Sequence, residues 1–570
     1  MKLNSSERKR TFLIFILFCL WMLLIGASLV KIQLLEYGKN VSKVRAQSNR
    51  TFILHSKRGT IYDSSGEVLA ISVKAWSAFL SNKDQAESLR IFNRILKENI
   101  HLTREDKQNI KKRINQGDKF IWIKRKLPDP EYQRLKNIES LDEVRMQSAL
   151  DFIQEYRRIY PQNATACHIL GGVGIDEQGL GGIEYSLNDI LRGKDCKVKV
   201  VQDARQKAFK LQYLEKPRDG KDIYLTIDSS IQFFVEKELE AAVKKHNAKS
   251  GTVIVMDTRE GEILAMAGFP HFNPIDLKYT SPGVIRNKAI SFLYHPGSTF
   301  KIILASTALE QNLCSPQQSF FCYNGIYKVK DQVLIDEKPY DHLTFEEIII
   351  YSSNIGAARI GERLGKKRYY EGIKGFGFGT RTGLHLPAEE IGIVNPLNEW
   401  SGVSLAFLAY GYEIAVTPIQ MTRAFNVIAN NGYMIQPYIV KAIDGAVLKR
   451  AKPQKVLSPG TVVRMKSIME EVVNRGTGKT TCIEGIPIAG KTGTTKKIKK
   501  NKSIIQYISS FGGFFPAQRP RLTMFVVIDE PKGQFYGSDV AAPLFKSIAE
   551  RLLIYLKIFP ELDKTNEIKL

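Results

Sequence analysis

The sequence predicts a mixed α/β chain of the α+β type. Its main domain is one five-stranded antiparallel sheet covered by helices, preceded by a transmembrane helix and an elongated α+β pedestal. Two observations point there. Strand-like runs cluster at both ends of the second half, "GTVIVMD" and "EILAMAG" early, then "IPIAGKTGTT", "IIQYISSFGGFFPA" and "RLTMFVVIDE" late, with a long helical middle. The amino terminus carries Phe12 to Val30, 19 residues without a charge, or about 28 Å as a helix, which matches the hydrocarbon thickness of a bilayer.

Taken in order, residues 1–11 form a cationic tail with Lys2, Arg8, Lys9 and Arg10. That flank stays in the cytoplasm, so the uncleaved anchor 12–30 places the rest of the chain outside. Gly26-Ala27-Ser28 are small, but the apolar run is longer than a signal core and lacks a clear A-x-A site. Residues 31–216 read as a non-catalytic pedestal. "RGTIYDSSGEVLAIS" turns at Asp63-Ser64-Ser65-Gly66, residues 83–150 look helical and heavily charged, and Arg157 to Gly193 carries seven glycines suited to turns and close approaches. A boundary near "KPRDG", Lys216 to Gly220, opens the main domain, 217–557, followed by a tail, 558–570. Asp228 caps a helix, a hairpin turns at Thr258 to Gly261, and "APLFKSIAERLLIYLK" closes the domain.

Composition limits the function. With 83 Lys+Arg against 58 Asp+Glu the net charge is +25, yet the positive charge is spread along the chain without interleaved stacking aromatics. A lysine-rich solvated surface is therefore expected, with no nucleic-acid partner. The six cysteines show no metal spacing. Cys314 and Cys322 are close enough to be bridged across a loop, though free buried thiols are the expectation for most of the six.

"GIPIAGKTGTT" admits two readings. Gly485, Gly490, Lys491 and Thr492 satisfy the pattern of a phosphate-cradling loop, but Ile-Pro-Ile-Ala is stiff and strand-like, no helix follows, and an antiparallel sheet is the wrong setting. "GTGKTT" at Gly476 to Thr481 fails at Val473, so no nucleotide is expected. The other reading is K-T-G. Upstream, "HPGSTFK" sets Ser298 at the first turn of a helix with Lys301 on the same face, a nucleophile beside an amine whose pKa burial lowers. Thr344 and Glu347 make a capping box for a helix that ends at Ser352-Ser353-Asn354, polar residues able to relay a proton and hold an amide. Gly493 allows close approach of a substrate backbone, and Lys491, Thr492 and Thr494 suit a terminal carboxylate. Each motif is weak alone: Ser6/Lys9 and Ser186/Asn188 repeat two of the spacings by accident. Their order, S-x-x-K, S-x-N, K-T-G, is specific.

With these motifs, and with "RGTIYDSSGEVLA", "GGVGIDEQGLGGIE", "LTIDSSIQ", "SFGGFFPA" and "YGSDVAAPLF", the chain resembles the class B penicillin-binding proteins over nearly its whole length. "LAISVKAWSAF" and "AFLAYGYEIAVTPIQ" look closer to the septal, FtsI-type branch than to the elongation branch. A serine departs from the basic residue usual after the family's pedestal aspartate. The resemblance implies a penicillin-binding transpeptidase fold and a peptidoglycan D,D-transpeptidase working through an acyl-enzyme on Ser298. Lys301 is then the base, Ser352 the relay, and Asn354 and Lys491 complete the catalytic set. Thr492, Gly493, Thr494 and Ser353 are substrate or β-lactam contacts, and the backbone N–H groups of Ser298 and Thr494 form the oxyanion hole. It further implies no metal or organic cofactor, and as partners D-Ala-D-Ala stem peptides, β-lactams, the lipid bilayer, and a SEDS-family polymerase with other divisome membrane proteins. A carboxypeptidase or β-lactamase, or a β-lactam-sensing scaffold, would use the same site. The lysine-rich "KKIKKNK", Lys496 to Lys502, is expected to be a solvated loop.

Overall fold

A computed structural model describes residues 5–38, 49–81, 84–140, 150–202, 208–213, 218–497 and 505–559. The expected loop at 496–502 lies outside the described residues from 498 onward, as does most of the tail, 560–570. The chain forms two compact units, Met1–Lys57 with Gly193–Gly220, and Arg58–Arg192 with Lys221–Leu570.

In the first unit, α1 (Ser5–Val30) runs on through a π-helical turn, Lys31–Leu35. Every side chain from Phe12 to Val30 is exposed, and Lys9–Leu35 is long and apolar enough to cross a membrane. Separately, Asn49–Leu54, Cys196–Gln202 and Ala208–Tyr213 pair as an antiparallel sheet with Cys196–Gln202 in the middle.

The second unit joins segments that the sequence assigns to separate domains. Ile223–Leu225 pairs parallel to Ile61–Tyr62 on one side and antiparallel to Val440–Ile443 on the other, so one seven-stranded sheet runs across the expected boundary near 216–220. Asp63 adds a second tie: one carboxylate oxygen accepts from Ser65 and Glu67 within its own turn, the other from Ser229 N and Oγ at 3.1 and 2.7 Å. Borders at 31–216 and 217–557 therefore do not follow the compact units. The charged stretch 83–150 is only partly helical. Gln85–Ile95, Arg104–Asn115 and Asp129–Ser140 are helices, but Phe120–Leu127 and Leu150–Ile159 are strands on either side of the long strand Val68–Ser81. The alternation in "FIWIKRKL", with Ile121, Ile123 and Leu127 buried, is what a sheet needs, and pairing overrides the helix-forming lysines around it. A buried charge cluster closes this end: Glu184, fully buried, accepts from Arg58 Nε at 2.6 Å and from Arg158 Nε at 2.7 Å.

The five strands predicted for the main domain are present, β1 (Ser250–Asp257), β2 (Ile263–Phe269), β3 (Ala489–Lys497), β4 (Gln506–Phe515) and β5 (Leu522–Asp529). Their order is β2-β1-β5-β4-β3, antiparallel throughout, with β3 at an edge. Alternate residues serve opposite faces. Phe525 and Val527 join the core of the helical middle, while Met524, Val526 and Ile528 pack with α2 (Ser229–Lys245), capped by Asp228, and with the closing helix Ala541–Tyr555. The middle holds α3 (Lys301–Glu310), buried all round from Lys301 to Leu309, then α4 (Phe345–Ile350), α5 (Asn354–Leu364), α6 (Pro418–Ala429) and α7 (Pro459–Asn474). Cys314 and Cys322 are buried free thiols.

Candidate active site

Ser298 sits in a tight turn. Gly297–Phe300 is a 3₁₀ turn that leads into α3, so the serine precedes the α-helix by three residues, a departure from the expected first α-helical turn. Gly297 makes the turn possible: its φ is +57°, and a Cβ there would lie 2.4 Å from Thr495 Oγ1 on β3. The same crowding explains Gly493. Its Cβ would meet Ser510 Oγ at 2.5 Å and Thr299 Cγ2 at 2.8 Å, so this glycine lets β3 pack against the Ser298 turn.

Lys301 is fully buried at the start of α3. Its Nζ lies 2.6 Å from the Ser352 carbonyl, 2.9 Å from Asn354 Oδ1 and 3.2 Å from Ser352 Oγ. Burial pushes its pKa from 10.5 down to about 7, against the opposing pull of the Asp336 and Glu337 carboxylates. A neutral amine has two N–H donors and one lone pair. With the donors on the Ser352 carbonyl and Asn354 Oδ1, the lone pair is left for a hydroxyl, and Ser352 Oγ stands near it. Among the described residues the Ser298 hydroxyl makes no side-chain hydrogen bond, so it is free to turn toward this amine or a substrate.

The S-x-N segment is held in an unusual conformation. Ser352 lies between α4 and α5 with φ +64°, which aims its carbonyl at Lys301. Asp336, 7% exposed, fixes the segment where it enters α5: it accepts from Ser353 Oγ and from the backbone N–H groups of Asn354 and Ile355. Ser353 Oγ also accepts from Gly356 N at 2.8 Å. The Ser353 hydroxyl, expected among the substrate contacts, is thus committed to the end of α5 and orients its neighbours. Asn354 Nδ2 donates to the Ile335 carbonyl at 3.3 Å, which fixes which end of the amide faces Lys301.

Lys491 is buried on β3, within reach of Thr477 Oγ1 at 3.5 Å and the Thr492 carbonyl at 3.4 Å. Burial, and then the nearby Lys301, hold its pKa well below the ordinary lysine range. Thr492 Oγ1 lies 2.7 Å from Thr477 Oγ1, and Thr494 Oγ1 accepts from Gly537 N at 2.9 Å. Both phosphate-loop lures are resolved by position: Gly490 to Thr492 lies inside an antiparallel strand, and Lys479–Thr481 is a short 3₁₀ turn after α7. Yet Gly476, Thr477 and Lys479 do belong to the site.

These pieces surround one cleft of about 480 Å³, lined by Ser298, Ser352, Ser353, Asn354, Thr477, Thr492 and Thr494, with Tyr340, Tyr351, Tyr410, Tyr412 and Tyr536 as aromatic walls. Sequence reasoning missed Asp336, Glu337, Thr477 and the tyrosines. "LIDEKPYD" carries no spacing that marks Asp336, and only contact shows its role. Gly476 is required where it stands, since a Cβ there would sit 2.4 Å from the Ile350 carbonyl, where α4 and α7 meet beside the cleft. Among the described residues no cluster of His, Cys, Asp and Glu is suited to a metal.

Known proteins resemble this chain over most of its length. Residues 251–550 match the penicillin binding protein transpeptidase domain, and residues 53–225 the penicillin-binding protein dimerisation domain. Stage V sporulation protein D of Bacillus subtilis is 33% identical, over 98% of this chain and 87% of its own. Peptidoglycan D,D-transpeptidase FtsI of Escherichia coli is 29% identical over 91% and 87% of the two chains. The crystal structure of penicillin binding protein 3 from Mycobacterium tuberculosis, complexed with aztreonam, is 26% identical, with a TM-score of 0.69 over 90% of this chain and 98% of that one. The chain belongs to the class B penicillin-binding proteins.

Proposed function

We propose that this protein is a membrane-anchored peptidoglycan D,D-transpeptidase in which Ser298 forms the acyl-enzyme. The observation that carries this reading is the buried Lys301, with its pKa brought to about 7, in contact with Ser352 and Asn354 at the wall of a cleft that also gathers Ser298 and the β3 threonines. A stem peptide ending in D-Ala-D-Ala docks its carboxylate by Lys491, Thr492 and Thr494. Lys301 Nζ takes the Ser298 proton as Oγ bonds to the penultimate carbonyl carbon, and the Ser298 and Thr494 N–H groups face the oxyanion. The carbonyl–nitrogen bond breaks, and terminal D-Ala leaves with a proton passed through Ser352. An amine of a second stem then attacks the ester, its carbon–nitrogen bond replaces the bond to Ser298 Oγ, and the serine regains its proton. β-Lactams acylate Ser298 through the same first step.

The anchor α1 keeps the catalytic part outside the cytoplasmic membrane, beside a SEDS-family glycan polymerase and divisome partners, and residues 31–216 serve as the pedestal. A septal role is supported by "LAISVKAWSAF" and "AFLAYGYEIAVTPIQ" and by a relative named FtsI. Depletion then gives filaments, whereas an elongation role gives rounded cells. The decisive experiment on the chemistry is labelling of purified protein with a fluorescent penicillin, together with release of D-Ala from a stem pentapeptide. Wild type does both and Ser298→Ala neither. Complementation by Ser298→Ala would instead mark a scaffold, and product hydrolysed without transfer to an amine would mark a carboxypeptidase.

A further inference from the structure

Transfer to an amine sets a demand that the first half-reaction does not. The second substrate arrives as an ammonium ion, and the cleft that must receive it is lined by three cations, Lys338, Lys479 and Arg475, of which Arg475 is already paired with Glu471 at 2.6 Å. A carboxylate facing the cleft with its lone pairs available offsets the two lysines, which make no ion pair among the described residues. Two carboxylates line it, Asp336 and Glu337. Asp336 is buried and already accepts from Ser353 Oγ, Asn354 N and Ile355 N. Glu337 is exposed and, among the described residues, makes no hydrogen bond or ion pair.

The backbone that carries it is also held in place. On one side of it, Asp336 is anchored to α5, and Asp336 N donates to the Gly325 carbonyl at 3.1 Å. On the other, Pro339 packs so tightly on Gly325 that a Cβ there would stand 3.0 Å from its Cα. From this loop its charge reaches both Lys301 and Lys491, the two buried amines of the site.

We infer that Glu337 is the acceptor-binding residue of the cleft, receiving the ammonium group of the incoming stem and holding it beside the Ser298 acyl ester. This rests on the transpeptidase reading. The ammonium gives one proton to solvent, and the freed lone pair attacks the ester carbon. As the new carbon–nitrogen bond forms and the bond to Ser298 Oγ breaks, a second proton passes through Lys301 to the serine. One proton remains on the amide.

The test uses full-length protein in detergent, with a stem-peptide thioester as donor and Glu337→Gln and Glu337→Asp as variants. The quantity read is the partition of one acyl-enzyme between an acceptor and water, a ratio from which changes in acylation cancel. With a diamino-acid tetrapeptide as acceptor, Glu337→Gln lowers the amine-to-water ratio about fivefold, the effect of one exposed carboxylate–ammonium pair, and Glu337→Asp recovers most of it. With hydroxylamine, uncharged at neutral pH, the ratio is the same in wild type and Glu337→Gln. An unchanged tetrapeptide ratio in Glu337→Gln, or an equal loss with hydroxylamine, overturns the assignment while leaving the transpeptidase reading intact. A wild type that forms no acyl-enzyme overturns both.

Discussion

The acylation rate should follow the ionisation of Lys301. Moving its ammonium from 10.5 to about 7 raises the share of free amine at pH 7 from about 3 in 10,000 to about one half, a gain of ~10³ in competent enzyme. The second-order rate constant for a penicillin, followed by quenched labelling from about pH 5.5 to about pH 8.5, should climb tenfold per pH unit in acid and level off above about 7. The sign is set by burial: it disfavours the ammonium, so the base is available above the lowered pKa and lost as pH falls through it. Lys301→Arg keeps a cation that cannot be deprotonated, and should cost ~10³ on the plateau. Lys491 is also pushed down, and the arginine variant tells the two amines apart because it removes only the limb that belongs to Lys301. A rate that is flat across this range, or an arginine variant within about tenfold of wild type, would refute the reasoning.

Three other outcomes rest on the same contacts. Asp336→Asn removes a charge that favours the Lys301 ammonium, so the acid limb should move to lower pH; calorimetry should show a loss of ~1–3 kcal/mol from the ill-matched donors at the start of α5. Gly493→Ala drives a methyl into Ser510 Oγ and Thr299 Cγ2, and should destabilise the protein by ~1–3 kcal/mol while lowering penicillin labelling through displacement of the Ser298 turn. Asp63→Ala breaks both hydrogen bonds to Ser229 at the start of α2, so hydrogen exchange should speed up at Ser229 and Ser230, which do not line the cleft, with labelling of Ser298 retained.

Much of the fold and site is legible in the chain because period and punctuation agree with the structure. The near-continuous apolar runs in "RLTMFVVIDE" and "IIQYISSFGGFFPA" mark strands buried on both faces, Asp228 and the Thr344/Glu347 pair mark helix starts, and the ordered triad of motifs marks the cleft. The hidden parts depend on contacts between distant segments. Ile223–Leu225 is too short to announce that it joins two parts of the chain into one sheet, and the strand Phe120–Leu127 is masked by its lysines and arginine. Asp336 reads as one acid in a polar loop until α5 is set beside it. Gly493 reads as room for a ligand, and only contact shows that the turn bearing Ser298 also needs it.

The most direct test of the account is peptide mapping by mass spectrometry of the protein after reaction with benzylpenicillin. A single penicilloyl adduct on the peptide that contains Ser298, absent in Ser298→Ala, is the predicted result. An adduct on Ser352, or on a residue outside the cleft, would contradict the claim that the buried amine of Lys301 serves Ser298.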